Sequence, residues 1–292
     1  MRYADAEAFR AALETRLRQA SNDAQDLSRR RRIVAFDRLL ARLAVADHCA
    51  WILKGGAALE FRMPEQARST RDIDLALASD RDPADRLLED LVGDPFGDYF
   101  SFRVTRRREL SDLPDRGLVV RLSVDALLGR RVFESIVVDV VAGEGMPAIA
   151  ERVELGRALG FAGLPVVEMA VIDLRTHWAE KLSAYLRRYD DRPNTRVKDL
   201  VDLVLLVEHG FEPDDRLRQA VEATFARRRQ HLPRSNLPSM ADAWAVPYAE
   251  MASDLGLTTV AASDAHDLIE SFWCRAQTGG QSTAGDHQPP TT

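Results

Sequence analysis

Asp72 and Asp74 stand two residues apart, a short stretch behind a glycine pair, Gly55-Gly56. On an extended strand, residues i and i+2 point to one side, roughly 6.5–7 Å apart. Two carboxylates so placed can share one or two Mg2+ ions, hard cations that take carboxylate and phosphate oxygens. A glycine pair between a strand and a helix lets backbone N–H groups approach a triphosphate, and the helix N-terminus favours the anion. Taken singly, Gly-Gly is an ordinary turn and Asp-x-Asp an ordinary solvated strand face. Taken in this order they point to the handling of nucleotide phosphates. A third carboxylate is wanted on a neighbouring strand. Asp139, inside the run Ile136 to Val141, meets that need, because a lone acid in an apolar strand is costly to desolvate unless it is paired or metal-bound. The bland alternative is a buried aspartate bonded to backbone or to an arginine. Asp125, close to a turn, is the weaker candidate.

Among 40 basic residues only Lys54, Lys181 and Lys198 are lysine. Where arginine is the default cation, a lysine marks a place for a compact ammonium, which approaches phosphate as a point charge. Lys54 adjoins the glycine pair. Lys181, Tyr185 and Arg188 fall on one helix face, and Lys198 and Asp202 are spaced to pair on the next helix. The plainer reading is an amphipathic helix pair with surface ion pairs, in which Asp199 complements the dipole of a first turn. The six histidines show no metal-ligand spacing, and no Ser-His-Asp arrangement or Walker loop is present.

These residues need elements to position them. Residues 5–20 and 28–46 carry apolar side chains at spacings of three and four, as in Ile33, Phe36, Leu39, Leu40 and Leu43, and read as amphipathic helices. Trp51 to Leu53 is a short buried strand, followed by a helix from Ala57 to Phe61. Asp72 to Ala78 alternates with period two and reads as a strand. Asp82-Pro83 opens a helix through Val92. Strands are expected at Phe100–Thr105, Leu118–Val124 and Ser135–Val141, with a turn at Gly129-Arg130. After Pro165 helices are expected throughout, at 174–188, 195–208, 213–229, 241–255 and 261–275. The organisation is therefore a mixed α/β part over 1–164, a helical part over 165–276 and a tail over 277–292. The tail is Gly, Ser, Thr and Pro with almost no apolar content, and is expected to be disordered.

Composition narrows the class. Of the 292 residues, 46% are hydrophobic and 29% charged, an ordinary globular mix. Two distant cysteines, Cys49 and Cys274, argue against a disulfide framework or a zinc site and fit a reducing cytosol. No apolar run approaches the ~20 residues that span a bilayer, and Met1 to Arg10 lacks the apolar core of a signal peptide. The expectation is a cytoplasmic protein with no membrane partner. A net charge of −6 does not announce nucleic acid. An RNA would have to dock on a local basic patch, at Arg29–Arg32, Arg106–Arg108 or Arg227–Arg229. Each of these is more often a solvated helix face or loop than a binding site.

At the residues above, the sequence resembles the AbiEii/AbiGii toxin family, the MenT-like nucleotidyltransferases of toxin–antitoxin systems. The family pattern is a Gly-Gly or Gly-Ser turn, then Arg-x-Thr-x-Asp-Ile-Asp. Here it reads Lys54-Gly55-Gly56-Ala57-Ala58-Leu59-Glu60-Phe61-Arg62, then Arg68-Ser69-Thr70-Arg71-Asp72-Ile73-Asp74. The run through Asp139, Lys181 and Lys198-Asp199-Leu200-Val201-Asp202 is similar as well, and the likeness covers roughly residues 33–275. It implies an α+β fold, a polymerase-β-like nucleotidyltransferase domain with a mixed sheet followed by a helical C-terminal domain. It implies Mg2+, an NTP donor, an RNA acceptor at the tRNA 3′ end, and a cognate antitoxin. Two departures are Gly56, where many members have Ser, and Thr70, where the pattern varies between Ser and Thr.

The expected mechanism is in-line attack of a 3′-hydroxyl on the α-phosphate, releasing pyrophosphate. Asp72, Asp74 and Asp139 would hold Mg2+, and Asp139 is the candidate to take the hydroxyl proton. Lys181 would neutralise the triphosphate. Asp199 or Asp202 would orient Lys181 or contact the base. Lys54, Gly55, Gly56, Thr70, Arg71, Arg188 and Lys198 would bind the nucleotide. A phosphate on Thr70, beside the acids, would add about −1.5 to −2 charges and shut the site; the plainer role for its hydroxyl is a bond to the loop backbone. The alternatives are an antibiotic-type enzyme that modifies a small molecule, and a non-catalytic nucleic-acid- or protein-binding module.

Overall fold

Apolar residues at every second position build the first unit. The computed structural model of the chain describes residues 1–46, 51–78, 82–91, 93, 95–110, 118–142, 150–188, 193–238 and 242–278. Two helices come first, α1 (Ala6–Ala20) and α2 (Ala24–Ala46). The Asp5 carboxylate caps α1 by accepting the Ala8 N–H at 2.8 Å. Then follow β1 (Trp51–Lys54), α3 (Gly55–Arg62), β2 (Asp72–Leu77), α4 (Pro83–Asp90), β3 (Phe100–Glu109), β4 (Leu118–Leu128), β5 (Arg131–Ala142), β6 (Ala150–Leu155) and β7 (Val167–Ile172). The strands form one mixed sheet in the order β3-β4-β5-β2-β1-β7-β6. Pairs β2/β5 and β1/β7 are parallel, and the other neighbours are antiparallel.

One face of the sheet is the core. Ile73, Leu75, Leu122, Val124, Ile136, Val138 and Val140 are buried there with Phe36, Leu39 and Leu43 of α2 and Leu87 of α4. The other face, over β3, β4, β5 and β2, carries the alternate residues of the same strands: Val137 and the polar Arg121, Ser123, Asp72 and Asp74, which are half-buried or exposed. Two single-residue bulges adjust the alternation. Between β4 and β5 the register shifts by one at Phe133, and between β3 and β4 it shifts by one at Thr105.

Three expectations are corrected here. Helix α2 is buried on nearly every side from Val34 to Ala44, including Arg38 and Arg42. These arginines meet Asp37 and Asp98, and Arg42 Nη2 lies 2.6 Å from Asp98 Oδ1. Paired charges can be buried where lone ones cannot, so the apolar stripe understated the burial. Val167–Ile172 is a strand rather than part of a helical stretch. It is an inner strand between β1 and β6, and a short apolar run of this kind has no period that separates strand from helix. The strand Ala150–Leu155 was likewise not expected.

The chain divides into two compact units, Met1–His177 and Trp178–Thr292. The division falls within α5 (Leu174–Tyr185). The second unit continues with α6 (Val197–Glu208), α7 (Asp215–Arg227), α8 (Ala245–Asp254) and α9 (Ala262–Gln277). Helix α6 packs on α8 and α9, and α7 on α9. Trp178 stacks against Trp273 at 6.4 Å between ring centroids. Cys274 is a free thiol. Cys49, and the tail beyond Thr278, lie outside the described residues. No described helix is long and apolar enough to cross a membrane.

Candidate active site

The strand registers assemble one charged row across the first unit. Lys54 on β1 is opposite Asp74 on β2, Asp74 is opposite Asp139 on β5, Asp139 is opposite Arg121 on β4, and Arg121 is opposite Arg108 on β3. Register partners point to the same face of a sheet. The row therefore reads cation, acid, acid, cation, cation, with Asp72 two residues from Asp74 on the same face. Arg121 holds Asp139 through both carboxylate oxygens, Nε to Oδ1 at 2.7 Å and Nη2 to Oδ2 at 2.6 Å. That hydrogen-bonded pairing holds the Arg121 guanidinium above its usual range against some desolvation, and the charges of Asp139, Asp72 and Asp74 add to it.

Arg121 is the residue that reading the sequence missed. Asp139 is thus a buried aspartate bonded to an arginine. Among the described residues, no group of three His, Cys, Asp or Glu side chains is arranged as a metal-binding cluster. The acidic row nevertheless fits a hard cation. Asp72 and Asp74 are half-buried on one face, and the row already attracts one cation. Mg2+ is commonly held by one or two carboxylates, with phosphate oxygens and water completing its shell.

The glycine pair makes room for this arrangement. Gly55 has φ of +62°, and a Cβ there would lie 2.7 Å from the Asp74 carboxyl carbon. Lys54 is the N-cap of α3 and makes no side-chain cap bond, and the first turn carries no acid. A Cβ on Gly56 would lie 2.9 Å from Thr70 Oγ1. The place of a residue-56 side chain is thus filled by the Thr70 hydroxyl, which donates to Asp72 Oδ1 at 3.1 Å. Thr70 is buried, its N–H reaches Glu60 Oε2 at 3.3 Å, and its carbonyl accepts from Arg32 at 3.1 Å. Burial raises the Glu60 carboxyl above the ordinary carboxylate range, opposed by Arg29. Arg71 is exposed.

Thr70 therefore braces Asp72. Thr70→Val is expected to lose about 1 kcal/mol of stability, the worth of one buried hydrogen bond, while keeping appreciable transfer. Thr70→Glu, which sets a second carboxylate against Asp72, is expected to lose transfer. Thermal unfolding and nucleotide incorporation measured on both variants check this.

The profile of one protein family, described as the nucleotidyl transferase AbiEii toxin of type IV toxin–antitoxin systems, matches residues 38–271. The chain belongs to this family. No curated protein matches the sequence. Among solved structures, JHP933 from Helicobacter pylori is similar at 16% identity and a TM-score of 0.41, over 84% of this chain and 94% of that one. A second H. pylori structure, designated a nucleotidyltransferase, is similar at 16% identity and a TM-score of 0.42, over 85% and 98%.

In this AbiEii chain the second unit holds the other predicted group. Lys181 Nζ donates to Asp202 Oδ2 at 2.6 Å and lies 3.1 Å from Asp199 Oδ1. All three are buried. The two aspartates that the sequence left unseparated both hold Lys181. Two expectations are corrected. Helix α5 ends at Tyr185, so Arg188 lies beyond the helix rather than on a face with Lys181, and it is exposed. Asp202 receives Lys181, and Lys198 is exposed rather than its partner, because α6 turns Asp202 inward. Asp125 is engaged by Arg103 at 2.8 Å and by Ser135 at 2.7 Å.

Proposed function

We propose that the chain transfers a nucleotide from an NTP to the 3′-hydroxyl of an RNA, at the tRNA 3′ end. The observation that carries the reading is the acidic row of Asp72, Asp74 and Asp139, set directly behind a glycine whose missing side chain admits Asp74. Asp72 and Asp74 are the residues to hold Mg2+. The ion supplies charge neutralisation to the triphosphate when bound. The N-terminal turn of α3, with Gly55 and Gly56, offers N–H groups to phosphate. Asp139, oriented by Arg121, takes the proton of the attacking hydroxyl and belongs with the metal-binding acids. A bond forms between that oxygen and the α-phosphorus. The bond from the α-phosphorus to the β-bridging oxygen breaks, and pyrophosphate leaves. Lys181, held by Asp199 and Asp202, is our candidate for a cation that meets the triphosphate. A cognate antitoxin restrains the enzyme in its host.

The test incubates the protein with each labelled NTP, Mg2+ and total RNA, and separately with aminoglycoside acceptors. Label in tRNA is the expected result. Label in the small molecule alone would replace RNA as the acceptor. Asp72→Ala and Asp74→Ala are expected to fall to background with the fold retained, and full activity in either would remove that residue from the metal site.

A further inference from the structure

The basic runs of the chain do not share one fate. In Arg29–Arg32, Arg29 pairs with Glu60 at 2.7 Å, Arg30 with Asp26 at 3.1 Å and Arg31 with Glu14, and Arg32 donates to the Thr70 carbonyl. Arg227 and Arg228 both meet Glu180, at 3.1 and 3.7 Å. On β3, Arg103 pairs with Asp125 at 2.8 Å, and Arg107 with Asp82 at 2.7 Å and Glu109 at 3.1 Å. On this strand Arg106 and Arg108 differ. Both are exposed, and no carboxylate among the described residues forms an ion pair with either.

Their direction follows from the register. Arg106 is opposite Ser123, and Arg108 is opposite Arg121, whose own partner is Asp139. The two arginines of β3 left without an acid are therefore both on the face of the carboxylates, while Arg107, opposite the buried Leu122, points to the helix-covered face. From Arg108 to Asp74 is three strand spacings, about 14 Å.

We infer that Arg106 and Arg108 form a docking strip for the phosphodiester backbone of an RNA acceptor, on the open face of the sheet beside the acidic row. The inference rests on the reading of that row as a nucleotidyltransferase centre. The reacting hydroxyl must reach the carboxylates, so the rest of its polyanionic chain must leave over some face. This face supplies cations along that path, Arg121 first and then Arg108 and Arg106. Guanidinium forks match phosphate oxygens in pairs. An acidic protein is the lesser fit. Protein docking faces are built around an apolar centre, and among the described residues no exposed large apolar side chain lies on β3 or β4.

The experiment measures binding of labelled tRNA to the full chain across a KCl series, for wild type, Arg106→Gln/Arg108→Gln, and Arg103→Gln as a control on the same strand. Two lost phosphate contacts should lower the slope of log affinity against log salt by about 1.4, at ~0.7 per contact on a single strand. Arg103→Gln should track wild type, and stabilisation by NTP with Mg2+ should be equal in all three. Unchanged affinity and slope in the double variant would overturn the strip and leave the transferase reading standing. Failure of the wild type itself to bind tRNA would overturn both the strip and the RNA acceptor. Loss of poly-glutamate binding with tRNA binding intact would make this a protein-docking face and overturn the inference.

Discussion

Gly55→Ala is expected to reduce nucleotide transfer by on the order of 100-fold, the scale of a catalytic group displaced by about 1 Å. A Cβ at residue 55 would meet the Asp74 carboxyl carbon at 2.7 Å and its Cβ at 3.0 Å. Pairing of β2 with β1 and β5 fixes the backbone of Asp74, so the contact is relieved by turning its carboxylate out of place. The backbone at φ +62° adds roughly 1–2 kcal/mol of strain for any L-residue. Gly97 separates the two effects. It has φ of +58°, and a Cβ there would meet nothing within 4 Å. Gly97→Ala should therefore show the strain in its unfolding temperature and leave transfer at the wild-type rate. Equal loss of activity in the two variants would mean that Gly55 serves the fold and has no particular bearing on Asp74.

Lys181→Met is expected to be the most destabilising single change in the second unit, by about 3–5 kcal/mol, because it removes one partner from a buried ion-pair network. The ammonium lies against Asp202 and Asp199, all three within α5 and α6 and all buried. Adding Asp202→Leu to Lys181→Met should recover part of that stability without recovering transfer, since the apolar pair repacks but supplies no cation. Lys181→Arg should fold and remain impaired, because a planar guanidinium does not fit a place built for a point charge between two carboxylates. Chemical denaturation and nucleotide incorporation on the same samples read the two effects apart. A Lys181→Arg enzyme with wild-type turnover would reduce Lys181 to a structural residue.

The acids of the charged row are legible in the sequence, and the arginine that holds one of them is not. Asp72, Asp74 and the glycine pair are local in the chain, and period two alone sets the acids on one face. Asp139 was visible as an acid in an apolar strand. Arg121 was harder to see, because its role depends on pairing between strands. The alternation of β4 buries Val120, Leu122 and Val124, and that of β5 buries Ile136, Val138 and Val140. A two-residue turn at Gly129-Arg130 joined to straight strands would set Arg121 opposite Val138, on the wrong face. Both apolar patterns can be satisfied only if one extra residue enters, and Phe133 is that residue. That argument was available in the sequence. The inner strand β7 was not, since burial on both faces erases the period. Nor was the partner of Asp202, which depends on how α5 and α6 meet.

Thr105, the extra residue of β3, has an electrostatic meaning. Three consecutive arginines in a strand cannot act as a single patch, because pleating deals them to alternate sides. Without the extra residue, Arg107 alone would look toward the acids, and Arg106 and Arg108 would look toward α4. With it, the split is inverted to two against one. The charge of each side of this sheet is thus a matter of parity, and an insertion or deletion of one residue near position 105 can redistribute it with the arginine count unchanged. Among relatives of this chain, the length of β3 would then govern what kind of anion the sheet can hold, as effectively as the identity of any residue on it.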